Sequence, residues 1–163
     1  MTTYDSEERA RLIEQYAAGP TRLRNAWDAV PPEARDWRPQ PGEWSAREVV
    51  CHCGDAETNA AMRIRYLVAE PEPVIHGYDG DTWSRVLDYA SHPPEAALAT
   101  VDAVRANTAA LLDRLPAEAW KRSGTHTESG PYGAEDWLRI YSKHLEEHAT
   151  QIDDVLAAWQ ARG

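Results

Sequence analysis

Four stretches of this chain place apolar residues at helical spacing, and three of the four are closed by proline. Amphipathic segments of such length must bury their stripes against one another, which constrains the fold more than any other feature. The first stretch carries Leu12, Ile13, Tyr16 and Ala17 over residues 6–18, and Leu23, Trp27 and Val30 continue its phase beyond Gly19-Pro20. It reads as one long helix kinked at Pro20, or as two abutting helices, ended by Pro31-Pro32. The second opens at Ser45, where Ser45-Ala46-Arg47-Glu48 spells a capping box. It runs through Val49, Cys53, Ala56, Ala60, Ile64 and Leu67 to Glu70-Pro71-Glu72-Pro73. The third, about 94–115, repeats Leu98, Val101, Val104 or Arg105, Thr108, Leu111, Leu112 and Leu115. The fourth, about 134–160, repeats Trp137, Tyr141, His144, Leu145, His148, Ile152, Val155, Leu156 and Trp159.

Between these stretches lie long connections. Residues 31–44 are rich in proline and carry Trp37 and Trp44, whose rings are expected to pack over a bundle end. A short helix is expected at about 81–90, with Trp83 and Leu87. No segment gives a convincing strand signal, and residues 121–133 read as an irregular loop or a short β-hairpin. The expectation is an all-α, four-helix bundle with long connections, one domain over residues 1–163.

Composition excludes several classes. A net charge of -10 opposes nucleic-acid binding, which needs a basic stripe. No run of eighteen apolar residues is present, so no membrane span is expected. The acidic, polar start is unlike a signal peptide, and a cytoplasmic location is expected. The two cysteines, Cys51 and Cys53, point about 200° apart on a helix and do not bridge each other. The same angle rejects a metal held by Cys51, His52 and Cys53 together. Both cysteines read as small core or groove residues.

Chemistry concentrates in His144 and His148. Spaced i, i+4, they share one helix face about 6 Å apart along the axis, at positions where the pattern asks for apolar side chains. A single core histidine is ordinarily a packed, hydrogen-bonded side chain. Two facing ones lose hydration unless something engages their lone pairs, and a divalent metal does so. His52, at the edge of the second stripe, is the candidate third imidazole. Glu48, Asp55, Asn59 and Arg63 lie within about 60° of it on the helical wheel. Asp55 is the candidate for orienting an imidazole or accepting a proton beside the metal. Asn59 and Arg63 are candidate contacts to a polar or anionic substrate; the alternative is an ordinary surface pair. His144-Leu145-Glu146-Glu147-His148 also matches H-x-x-E-H, with Glu147 as general base. That reading lacks a downstream third ligand and a sheet edge to hold a peptide. His76, His92 and His126 fall in loops and read as solvated, with His126 a candidate for the cleft mouth.

Three segments carry a resemblance. Trp44-Ser45-Ala46-Arg47-Glu48-Val49-Val50-Cys51-His52-Cys53-Gly54-Asp55-Ala56-Glu57 resembles the W-S-x-x-E-v-x-x-H-x-x-D-x-E segment of the DinB-like (DinB/YfiT) superfamily. Gly77-Tyr78-Asp79-Gly80-Asp81-Thr82-Trp83 resembles that family's G-Y-D segment. Residues 137–152 resemble its final W-x-x-x-Y-x-x-H-x-x-x-H-x-x-Q-I helix. The resemblance implies a four-helix bundle binding one divalent metal, zinc or nickel, through His52, His144 and His148. It departs at Cys51 and Cys53, where small or aliphatic neighbours are usual. Members include transferases using a low-molecular-weight thiol such as bacillithiol or mycothiol, so a thiol S-transferase is the first expectation. A metal-dependent hydrolase and a non-catalytic metal-binding stress-response protein are the alternatives. A small-molecule substrate and a homodimer are the expected partners.

Overall fold

The computed structural model describes residues 3–162. Four long helices form the body: α1 (Ser6–Ala29), α2 (Ala46–Ala69), α4 (Pro94–Leu112) and α5 (Ala134–Ala161), with a short α3 (Gly80–Val86) between the second and the fourth. α1 runs unbroken through Pro20, so its two halves are one element. Ser45 caps α2 as its sequence requires: its hydroxyl accepts from the Glu48 amide, and the Glu48 carboxylate accepts from the Ser45 amide at 2.8 Å.

α1 packs on α5 and α4, and α2 packs on α4 and α5, while α1 and α2 scarcely meet. Consecutive helices α1 and α2 therefore stand on a diagonal, which the long 31–44 connector makes feasible. The arrangement puts α2 directly beside α5. Apolar stripes from all four fill the interior. One cluster gathers Trp27, Val49, Leu98, Leu145 and Ile152, and another gathers Tyr16, Ile64, Leu112, Trp137 and Leu138. Cys51 and Cys53 are free and buried in the first cluster. Trp37 and Trp44 pack against that cluster's edge.

A small sheet corrects the all-helical expectation in detail. β1 (Val74–Ile75) pairs parallel with β2 (Ser123–His126), and β2 pairs antiparallel with β3 (Gly130–Gly133). At Gly124 any Cβ would fall 2.2 Å from the Pro73 carbonyl oxygen, so β1 and β2 close only over a glycine. No described helix is long and apolar enough to cross a membrane.

Candidate metal centre

His52 sits about two turns into α2 from its capped start, beside the core residues Val49 and Cys53. His144 and His148 flank Leu145, which is fully buried on α5. Because α2 lies along α5, the three rings converge. Ring centroids stand 4.6 Å apart for His144–His148, 4.7 Å for His52–His148 and 5.9 Å for His52–His144. One ligand atom from each lies within 4.8 Å of the others. Two nitrogens on one tetrahedral zinc stand about 3.3 Å apart, so small ring rotations suffice to bring the set onto an ion.

The surroundings suit that use. Burial, followed by the neighbouring rings of His148 and His144, pushes the pKa of His52 down to about 3. Burial and His144 push that of His148 down to about 4. Both rings are therefore neutral at pH 7 and keep a lone pair. Nδ1 of His144 lies 2.7 Å from Oε1 of Glu57, and Nδ1 of His148 lies 2.9 Å from Oε1 of Gln151. Oxygens accept, so both rings donate from Nδ1 and leave Nε2 available as a donor to a cation. Nδ1 of His52 is buried and has no hydrogen-bond partner among the described residues. The Trp44 ring covers His52 at 4.8 Å between centroids, and Tyr141 stands 5.4 Å from His144. Three imidazoles without a carboxylate suit zinc, nickel or another late first-row metal better than magnesium or calcium. A cleft of about 540 Å³ opens beside the centre, with Trp44, His148, Gln151 and Val155 among its walls.

The other candidates fall elsewhere. The carboxylate that reaches a ring is Glu57. Burial alone would raise its pKa, but Arg105 and His144 overcome that and hold it below the usual carboxylate range. Asp55 instead accepts the Tyr89 hydroxyl at 2.5 Å. Asn59 donates to the Asp55 carbonyl at 3.1 Å, one turn back. Arg63 donates to the Tyr141 hydroxyl at 2.9 Å and to the His76 carbonyl at 2.5 Å, bracing the loop before α3 against α5. None of the three hydrogen-bonds to a ring nitrogen. Glu147 pairs with Lys143 at 2.7 Å on the exposed face of α5, which removes it as a base beside the rings. His76 and His92 are exposed. His126 is half-buried on β2, where its Nδ1 accepts from the turn amides of Glu128 and Ser129, away from the cleft walls.

Reading the sequence missed Glu57, Arg105 and Gln151 as parts of the site. Arg105 did signal itself: a charged side chain in register with an apolar stripe requires a buried partner. Gln151 lies three residues after His148, within reach on the same helix face.

Fold and ring cluster together define a helical bundle with an imidazole-lined centre between two of its helices. A model of the DinB superfamily matches residues 15–152, and the chain belongs to that superfamily. A protein of Oceanobacillus iheyensis with the name "Putative metal-dependent hydrolase" is 30% identical over 136 residues, covering 83% of this chain and 78% of that one. YfiT of Bacillus subtilis, with the same form of name, is 26% identical over 150 residues, covering 91% and 84%. The YfiT structure, described as a four-helix bundle of unusual topology, superposes with a TM-score of 0.90 at 24% identity over 98% of this chain and 92% of its own. A mycothiol-dependent maleylpyruvate isomerase shares the fold at a TM-score of 0.71 and 14% identity, over 93% of this chain and 63% of the isomerase.

Proposed function

We propose that this protein is a metal-dependent hydrolase of a small-molecule substrate, with His52, His144 and His148 holding one divalent cation, zinc or nickel. The observation that carries the reading is the convergence of three ring nitrogens within 4.8 Å at the wall of a cleft. The names of relatives that match most of the chain support hydrolysis. A cation bound by these rings supplies a Lewis acid that activates water for attack. The chain's own residues do the rest. Glu57 and Gln151 hold the Nδ1 protons of His144 and His148, so the lone pairs stay directed at the cation. Trp44 covers His52 and restricts water on that side. Arg63 ties Tyr141 and the loop before α3 into the wall beside His144, and Asn59 lies on the same face of α2 one turn before it. Asp55, one turn after His52, is held by the Tyr89 hydroxyl against a separate cavity and takes no part beside the rings.

A second reading keeps the centre and changes the nucleophile. The fold shared with a mycothiol-dependent isomerase favours a low-molecular-weight thiol of the mycothiol or bacillithiol type, attacking as in an S-transferase. Zinc and nickel both take thiolates readily. The experiment is elemental analysis of protein purified without chelator, followed by turnover of an ester and amide panel with and without added thiol. Hydrolysis without thiol, abolished by His148→Ala and by chelation, is expected. Turnover only with thiol establishes the second reading. Turnover that survives both His148→Ala and chelation rejects the metal mechanism.

A further inference from the structure

The most unusual side chain outside the ring cluster is a buried arginine. Arg105 comes from α4, which supplies no candidate ligand, and it is only 1% exposed. Its Nε and Nη2 donate to the two oxygens of Glu57 at 2.6 and 2.7 Å. Nη1 donates to the Tyr16 carbonyl of α1 at 2.6 Å, and Nη2 also to the Tyr141 carbonyl of α5 at 3.0 Å. One side chain thus reaches the other three long helices. Glu57 is fully buried, and its Oε1 accepts from both Arg105 and His144.

Burying such a pair is costly, and apolar residues of equal volume often hold a core as well. Stability alone is therefore a weak reason for its presence, and the hydrogen bond to His144 supplies a stronger one. We propose that Arg105 and Glu57 are positioning residues for the metal centre: Arg105 fixes the Glu57 carboxylate, which accepts the hydrogen bond from Nδ1–H of His144 and so keeps Nε2 of that ring as the ligand atom. This rests on the reading of the three histidines as metal ligands. It also ranks them. His144 has a charged acceptor, His148 a neutral amide and His52 none. A charged acceptor makes an imidazole the stronger donor, so His144 is the ring through which a change in α4 reaches the metal.

Glu57→Gln is the test. The amide keeps the shape of the carboxylate but offers one acceptor. Facing the Arg105 fork, its oxygen turns to the arginine and its amino group to His144. That ring must then accept at Nδ1 and carry its proton on Nε2. Imidazole ¹⁵N shifts of the full chain, zinc-free and zinc-loaded, read the tautomer; a competing chelator reads zinc affinity. The wild type is expected to hold Nδ1–H at His144 in both states. Zinc-free Glu57→Gln is expected to switch to Nε2–H, with zinc affinity lower by roughly 10–100-fold although all three histidines remain. Arg105→Lys, which keeps the charge and loses the fork, is expected to lower affinity in the same direction by a smaller factor. A wild-type His144 with its proton on Nε2 overturns the assignment. So does a Glu57→Gln protein with unchanged tautomer and zinc affinity within twofold. The wild-type measurement stands even where the variant does not fold. A wild type that takes up neither zinc nor nickel overturns the metal reading, and its zinc-free tautomer still decides whether Arg105 and Glu57 orient the ring.

Discussion

At His52 and His148, burial has driven the imidazole pKa from an ordinary 6.5 to about 3 and about 4. The folded values lie below the unfolded one, so between these limits the unfolded chain binds protons that the folded chain refuses. The stability carried by the neutral rings is fully present above pH 6.5 and is lost as pH falls toward 4. Two such rings cost roughly 4 kcal/mol between pH 7 and pH 5 in metal-free protein. Urea midpoints measured over that range should fall steeply; a flat profile would show that the rings titrate freely. Bound metal competes with the same protons, so its affinity should fall in the same direction. These residues were legible in the sequence because two histidines interrupt an apolar stripe at i, i+4. Their supports were harder to read. Glu57 stands five residues from His52, where helix geometry alone does not aim it at a ring on α5. Arg105 stood in the right register, but nothing local says which acid it meets. Asp55 stood closer to His52 on the wheel, and the Tyr89 hydroxyl draws it elsewhere.

Among the elements, the long helices were the most legible, because their stripes repeat over many turns and proline or a capping box marks their ends. The sheet was not. β1 has two residues, β2 and β3 four each, and three of the ten are glycine, so no alternation develops. Its pairing depends on a contact between Pro73 and Gly124, far apart in sequence. Gly54 makes a similar long-range statement between helices. A Cβ there would stand 3.1 Å from the Ala97 Cβ and 3.2 Å from its Cα, so the backbone of α4 itself blocks the space. Gly54→Ala gains about 1 kcal/mol of helix propensity. It also forces α2 and α4 apart, and overpacking of this kind costs about 1–3 kcal/mol. A net loss of about 1 kcal/mol is expected, lowering the thermal midpoint by roughly 2–4 °C. A midpoint that rises would show that the two helices can separate freely at this level, beside His52.

For the molecule as a whole, the candidate ligands come from two helices that the bundle alone brings together. His52 is on α2, His144 and His148 are on α5, and the unfolded chain holds them far apart. A cation that binds the folded state only adds RT ln(1 + [L]/Kd) to its stability, about 2.7 kcal/mol at a hundredfold excess over Kd. For a chain of 163 residues each kcal/mol moves the midpoint by roughly 2–4 °C, so zinc or nickel should raise it by roughly 5–11 °C. The net charge of -10 attracts any divalent cation weakly, which sets the control: magnesium at equal concentration should give little of the shift, because imidazoles do not favour it. His144→Ala should remove most of the zinc response, while His76→Ala, at an exposed loop position, should keep it. Differential scanning calorimetry of the three proteins with each metal decides the matter. A zinc response that persists in His144→Ala would locate the ion away from the rings, and with it the centre around which α2 and α5 are proposed to act.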